Sequence, residues 1–143
     1  MKNPGRIIAV LLLGTLFIVT AITVDRALAA EEEQASAVKV AEKEGIGRYL
    51  TDRAGMTLYY FTQDSTNMSV CSGICLKRWP IFYAEITAVP MGMHAGDFSV
   101  ITRDDGKKQS TYKGRPLYYY YGDSSPGDTN GQGAGGVWYV VGP

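Results

Sequence analysis

From residue 38 onward apolar and polar positions alternate with the period of β-strands rather than that of helices. Val38 and Val40 flank Lys39 and open a candidate first strand. Arg48-Tyr49-Leu50-Thr51, a turn over Asp52-Arg53-Ala54-Gly55, and the run Met56 to Phe61 read as a hairpin, with aromatic and β-branched stretches around a turn ending in glycine. Phe98 to Thr102 faces Gln109 to Tyr112 across Asp104-Asp105-Gly106, a second hairpin. Leu117 to Tyr121 and Val137 to Val141 supply further strands, with Pro116 at a strand start, where a missing N–H does least harm. One or two helical turns are expected between residues 70 and 79. Cys71, Cys75 and Trp79 fall there at four-residue spacing on one face, with Ser69 placed to cap and Pro80 to stop. Gly122 to Gly136 is too glycine-rich for a regular element and reads as a long loop.

The pattern occurs twice. Gly55-Met-Thr-Leu58-Tyr59-Tyr60-Phe61-Thr-Gln-Asp64 is echoed by Gly114-Arg-Pro-Leu117-Tyr118-Tyr119-Tyr120-Tyr-Gly-Asp123, and Trp79 and Trp138 follow their aspartates at the same distance. Such a match implies two copies of one unit, each unable to bury its apolar face alone. Residues two apart share a strand face, so Tyr59 pairs with Phe61 and Tyr118 with Tyr120, while Tyr60 and Tyr119 turn away. The expected fold is mainly β: two pseudo-repeated hairpin units, about 46–80 and 98–141, in one domain over 46–143 with a shared aromatic core. Tyr59, Phe61, Tyr118, Tyr120, Trp79 and Trp138 form that core. Asp64 and Asp123 each accept from turn N–H groups.

The N-terminus sets the compartment. Lys2 and Arg6 precede an apolar run from Ile7 to Val24, and Ala27-Leu28-Ala29 supplies a small-x-small cleavage pattern. Residues 1–29 are therefore expected to be an export signal. The run is long enough to serve instead as a membrane anchor over residues 7–24, the alternative to cleavage. Residues 30–45 read as a charged linker and possible first strand. Without the leader's Lys2, Arg6, Arg26 and Asp25, 11 basic residues face 13 acidic ones, a net charge of about −2. That balance leaves no basic stripe for nucleic acid. The expected partner is an envelope ligand or protein, with the membrane touched only through an uncleaved N-terminal segment.

Candidate chemistry is sparse. Cys71 and Cys75 are the chain's two cysteines, and an oxidising compartment favours their pairing across one helical turn. Their spacing is neither CxxC nor a haem-attachment motif, so a structural disulfide is expected rather than a redox pair. Met91-Gly-Met93-His94 groups two thioethers with the chain's one imidazole, a donor set suited to copper. This grouping, or a tyrosine-lined haem pocket, carries the alternative of an envelope redox protein; otherwise no cofactor is expected. Asp123, Asp128 and Asn130 make the glycine-rich loop the candidate binding surface, although its spacing misses a calcium loop. Aromatic walls around Tyr59 and Tyr118 would suit a planar or carbohydrate ligand. No phosphate loop, HExxH or GxSxG motif occurs. No carboxylate pair stands out for acid–base work, so the expectation is a non-enzymatic module; a hydrolase would need Asp64, Asp123 or Asp128 in one cleft.

At these residues the chain resembles the secreted repeat of unknown function family, whose motif is Tyr-x-(Phe/Trp/Tyr)-x-x-Asp. The motif reads Tyr59-Tyr-Phe61-Thr-Gln-Asp64 and Tyr118-Tyr-Tyr120-Tyr-Gly-Asp123. Flanking blocks agree in order: Leu50-Thr51-Asp52, the Cys71/Cys75/Trp79-Pro80 block, Thr102-Arg103-Asp104-Asp105-Gly106 with Gln109, Gly127-Asp128-Thr-Asn130-Gly131 and Gly136-Val137-Trp138. The resemblance implies bacterial or archaeal export and carries over no reaction. It departs from the lipoprotein pattern in lacking a cysteine to lipidate, and Met91 to His94 falls between the family blocks.

Overall fold

A computed structural model describes residues 36–143. The expected leader or anchor lies outside these residues. Among them no helix is long and apolar enough to cross a membrane. The fold is mainly strand, in three small antiparallel sheets with one short helix. The strands are β1 (Val38–Lys43), β2 (Gly47–Asp52), β3 (Tyr59–Phe61), β4 (Phe98–Thr102), β5 (Lys108–Tyr112), β6 (Arg115–Pro116) and β7 (Trp138–Val140). The helix α1 is Ile74–Arg78.

Two hairpins of the same build carry the two halves. In the first, β1 pairs with β2 so that Val38 faces Asp52 and Val40 faces Leu50. Sixty residues on, β4 pairs with β5 so that Phe98 faces Tyr112 and Val100 faces Ser110. Beyond the hairpins the spacing between equivalents drops from sixty residues to fifty-nine, because the turns differ by one residue. In the second half Lys113 (φ 48°) and Gly114 (φ 76°) form a two-residue turn of the primed type between β5 and β6. In the first half the chain runs through Asp52-Arg53-Ala54-Gly55, with Gly55 at φ 88° donating its N–H to the Asp52 carbonyl at 3.0 Å.

The halves then exchange their last segments. β7, at the end of the second half, pairs with β3 of the first: Tyr59 faces Val140, Tyr60 faces Tyr139 and Phe61 faces Trp138. The first half's equivalent segment, Trp79 to Phe82, runs beside Tyr118 of the second. The Phe82 N–H donates to the Leu117 carbonyl at 2.9 Å and the Tyr119 N–H to the Pro80 carbonyl at 2.7 Å. The counterpart bond runs from the Val141 N–H to the Leu58 carbonyl at 3.0 Å. On the pseudo-two-fold axis Tyr59 and Tyr118 exchange both backbone bonds at 2.9 Å. Each half thus lacks a strand until the other supplies it.

The period-two reading of the faces holds. Tyr59, Tyr118, Trp79 and Trp138 form one buried cluster, against which Phe61 and Tyr120 pack. Tyr60 and Tyr119 pack against the other, around Val38, Leu50, Leu58 and Leu117. Three local expectations are corrected. The hairpin after β2 forms but is short: Thr57 bridges Thr51, the Asp52 N–H donates to the Met56 carbonyl at 2.8 Å and the Leu58 N–H to the Leu50 carbonyl at 2.9 Å, whereas Tyr59–Phe61 leave β2 to pair with β7, and the longer partner of β2 is β1. The helix covers Ile74–Arg78, with Cys71 before it and Trp79 after it, since Gly73 at φ 56° interrupts a helical path from Cys71. Ser69 is not the helix cap; its hydroxyl meets Tyr118 and Arg103 in the interior.

Candidate functional site

The repeated motif builds a closed interior rather than an open pocket. The Tyr59 hydroxyl donates to Asp123 Oδ2 at 2.6 Å, and the Tyr118 hydroxyl donates to Asp64 Oδ2 at 2.7 Å. Each tyrosine therefore binds the aspartate of the other repeat. The remaining oxygens take backbone donors: Asp64 Oδ1 accepts from the Val70 N–H at 2.8 Å and Asp123 Oδ1 from the Asn130 N–H at 2.9 Å. The expected turn contacts are thus present, and the crossed tyrosine bonds are added to them. Burial, then the hydrogen bond to a carboxylate, pushes both phenols well above the usual tyrosine value. Burial likewise raises the Asp64 carboxyl, against the opposing pull of its Tyr118 and Val70 bonds. A third pair joins the Tyr119 hydroxyl to Asp52 Oδ2 at 2.8 Å, and burial raises that phenol too.

Between the two Tyr–Asp bonds lies a four-ring stack. Trp79 and Trp138 are parallel within 4° at 3.8 Å. Phe61 covers the Trp138 side at 4.3 Å and Tyr120 the Trp79 side at 4.5 Å. Tyr59 meets Trp79 edge-on at 5.5 Å, and Tyr118 meets Trp138 edge-on at 5.1 Å. Ring pairs of this kind contribute about 0.5–1.5 kcal/mol each beyond area burial.

Arg103 and Gln109, which stand in a flanking block of the family resemblance but are given no role there, are buried polar residues of the interior. Arg103 is buried, and its guanidinium donates to the Cys71 carbonyl, to Ser69 Oγ and to Gln109 Oε1, the last at 2.7 Å. Gln109 Nε2 in turn donates to the Leu117 carbonyl at 2.8 Å. The signals in the sequence are that family block and the arginine's place directly before Asp-Asp-Gly at the hairpin turn. Cys71 and Cys75 are joined as a disulfide with Cα atoms 5.4 Å apart, and Cys71 is buried.

The glycine-rich loop is closed on itself. Asp128 Oδ2 accepts the Ser124 and Ser125 N–H groups at 2.9 Å, which hold its carboxyl below the usual range. Asn130 Nδ2 donates to the Gly122 carbonyl at 3.1 Å. The loop is also tied to the first repeat, since the Thr57 hydroxyl donates to the Asp128 carbonyl at 2.6 Å and Lys43 Nζ to the Gly127 carbonyl at 3.0 Å. Gly131 lies against the rings of Trp79, Tyr59 and Tyr120. Met91 is 87% exposed, Met93 packs against the first core cluster and His94 leads into a short 3₁₀ turn. Among the described residues no three of His, Cys, Asp or Glu gather as a metal-binding group.

An open cleft of about 330 Å³ lies at the seam between the repeats, lined by Tyr60, Asp64, Ser65, Lys113 and Arg115 among others. Its cations come from the β5–β6 turn (Lys113) and the start of β6 (Arg115), and only the folded pairing of repeats brings them to the Tyr60 strand.

No curated protein and no solved structure matches the chain. A family model described as a secreted repeat of unknown function matches residues 41–82 and 99–142, more than half of the chain, in frames that follow the two hairpin units. The chain belongs to the family of secreted repeats of unknown function.

Proposed function

We propose that this secreted domain is a non-enzymatic binding module of the cell envelope, folded without a metal or other cofactor. It acts in the periplasm or beyond it, held at the membrane through residues 7–24 where the leader is retained. The observation that carries this reading is the commitment of both motif carboxylates. Asp64 and Asp123 each give one oxygen to a tyrosine of the other repeat and one to a backbone N–H. A general acid or base must reach a substrate proton. These carboxylates hold the fold shut instead. The exported part is slightly acidic, which favours an envelope ligand or protein over nucleic acid.

The test is to mix the exported form with isolated envelope fragments. Saturable co-sedimentation, with the envelope polymers recovered at unchanged length, supports the reading. Soluble fragments released by the wild type and not by an Asp64→Asn, Asp123→Asn variant would overturn it. Stoichiometric copper or haem in protein purified without chelator, lost in a Met93→Ala, His94→Ala variant, would overturn its cofactor-free part.

A further inference from the structure

We propose that the seam cleft binds an acidic saccharide, with the acid group at Arg115 and Lys113 and sugar hydroxyls at Thr62, Ser65 and Thr66. This rests on the reading of the chain as a binding module and names its site and ligand class. The cleft's volume of about 330 Å³ sits at the small end of the range for small-molecule sites, roughly 300–1,000 Å³. Its two sides come from different repeats, Tyr60 to Thr66 from the first and Lys113 to Pro116 from the second.

The cations are held in place without being neutralised. The Arg115 guanidinium lies over the Tyr60 ring, 4.3 Å from its centre. That contact fixes the plane of the fork and leaves its N–H edges for a ligand. Lys113 Nζ lies 4.8 Å from the centre of the Tyr112 ring. Among the described residues neither cation has an acidic partner within ion-pair distance, though the more distant Asp97 attracts Lys113. The one carboxylate in the cleft, Asp64, turns its oxygens to Tyr118 and Val70. Thr62, Ser65 and Thr66 line the same cleft, and their hydroxyls donate to no described residue. Cations that favour an acid beside unused hydroxyls that favour a polyol select an acidic sugar over a bare anion or a neutral glycan.

The backbone points the same way. Lys113 sits at φ 48°, where asparagine or glycine would be relaxed and lysine is not. Strain of that kind gathers at binding sites held rigid by their surroundings. The surroundings here are tight. The Lys113 N–H donates to the Asp97 carbonyl and the Asn67 N–H to the Gly114 carbonyl, both at 2.7 Å. A Cβ on Gly114 would come within 2.7 Å of Thr66 Cγ2. A lysine kept in this turn supplies a positive charge that the relaxed residues could not.

The experiment is an amide-shift titration of the exported form with a short oligouronate, a neutral oligoglucose of equal length and inorganic phosphate. Saturable shifts at residues 60–66 and 113–115 with the oligouronate are expected, weakening with salt. Arg115→Gln should weaken binding roughly tenfold to a hundredfold, the range for one charge-assisted contact. Lys113→Asn, which suits the positive φ and leaves the rest of the spectrum in place, should also weaken it. Equal binding of oligoglucose would overturn the acidic preference, and equal binding of phosphate would overturn the saccharide. Shifts confined to another face would remove this cleft while leaving the binding-module reading intact; no shifts with the oligouronate would also remove it. Shortening of the oligouronate during the titration would overturn that reading itself.

Discussion

At the residue scale the crossed Tyr59–Asp123 and Tyr118–Asp64 bonds are one interaction made twice. Each joins a buried phenol to a carboxylate of the opposite repeat. Removing either hydroxyl leaves that carboxylate short of a partner, a cost of about 1–3 kcal/mol for a buried group. Tyr59→Phe and Tyr118→Phe should therefore each lower unfolding free energy by that amount in denaturant titrations, and by similar amounts. A large loss from one and none from the other would deny the equivalence. The same residues shape the response to pH. Tyr59, Tyr118 and Tyr119 have folded-state values raised above that of a free phenol. The folded chain thus holds protons that the unfolded chain releases, and stability is full below about pH 10 and falls as pH rises above it. A phenolate titration should show these three of the ten tyrosines ionising only as the domain unfolds. Asp64 acts in the same direction at acid pH. Its raised folded value makes protonation favour the fold, so its contribution falls as pH rises from near 4 through that value.

At the element scale the glycine-rich loop and the Cys71–Cys75 loop do different work. Gly131 has an ordinary backbone and is required for its lack of a side chain. A Cβ there would lie 2.9 Å from Trp79 and from Tyr59 and 3.0 Å from Tyr120. Gly131→Ala should cost about 1–3 kcal/mol through overpacking, measured as a lower midpoint with unchanged secondary structure. The disulfide closes a loop of only four residues in separation. Its loss in a Cys71→Ser, Cys75→Ser variant should cost less than the typical ~2–4 kcal/mol, read by calorimetry beside mass spectra showing the native pair oxidised. The alternation of Tyr59, Tyr60 and Phe61 was legible because strand faces depend on neighbours two apart, and both clusters obey it. The helix over Cys71 was not, because one glycine with positive φ outweighed the spacing. The role of Arg103, a residue visible only as part of a family block, and the seam cleft were illegible for another reason. Their partners, Ser69 and Cys71 for the arginine and Tyr60 for Arg115, are distant in sequence and meet only through the exchange of segments.

At the scale of the whole molecule, that exchange explains why a duplicated sequence makes one domain. A hairpin with a single exposed edge is marginal in water. Here β3 is completed by β7 of the second half, while Tyr118 and its neighbours are completed by Trp79 to Phe82 of the first. The stacked tryptophans contribute one ring from each half to the same contact. Removing either ring should therefore weaken both halves together, at the roughly 3–5 kcal/mol typical of a buried aromatic. The connection between the halves, residues 83–94, contains no strand or helix and carries none of the exchanged pairing. Covalent continuity there should be dispensable once the domain has formed. A protease site placed near Ala88 and cut after folding should leave the two pieces associated, with the native amide spectrum retained and the midpoint of unfolding dependent on concentration. Separated in denaturant, each piece alone should give the narrow amide dispersion of an unfolded chain, and mixing should restore the native spectrum. A first-half piece that folded as a monomer would show that its own Trp79 to Phe82 segment can turn back onto Leu58 to Phe61. The exchange would then be one arrangement of two, and the crossed Tyr–Asp bonds would no longer be what makes the repeats depend on each other.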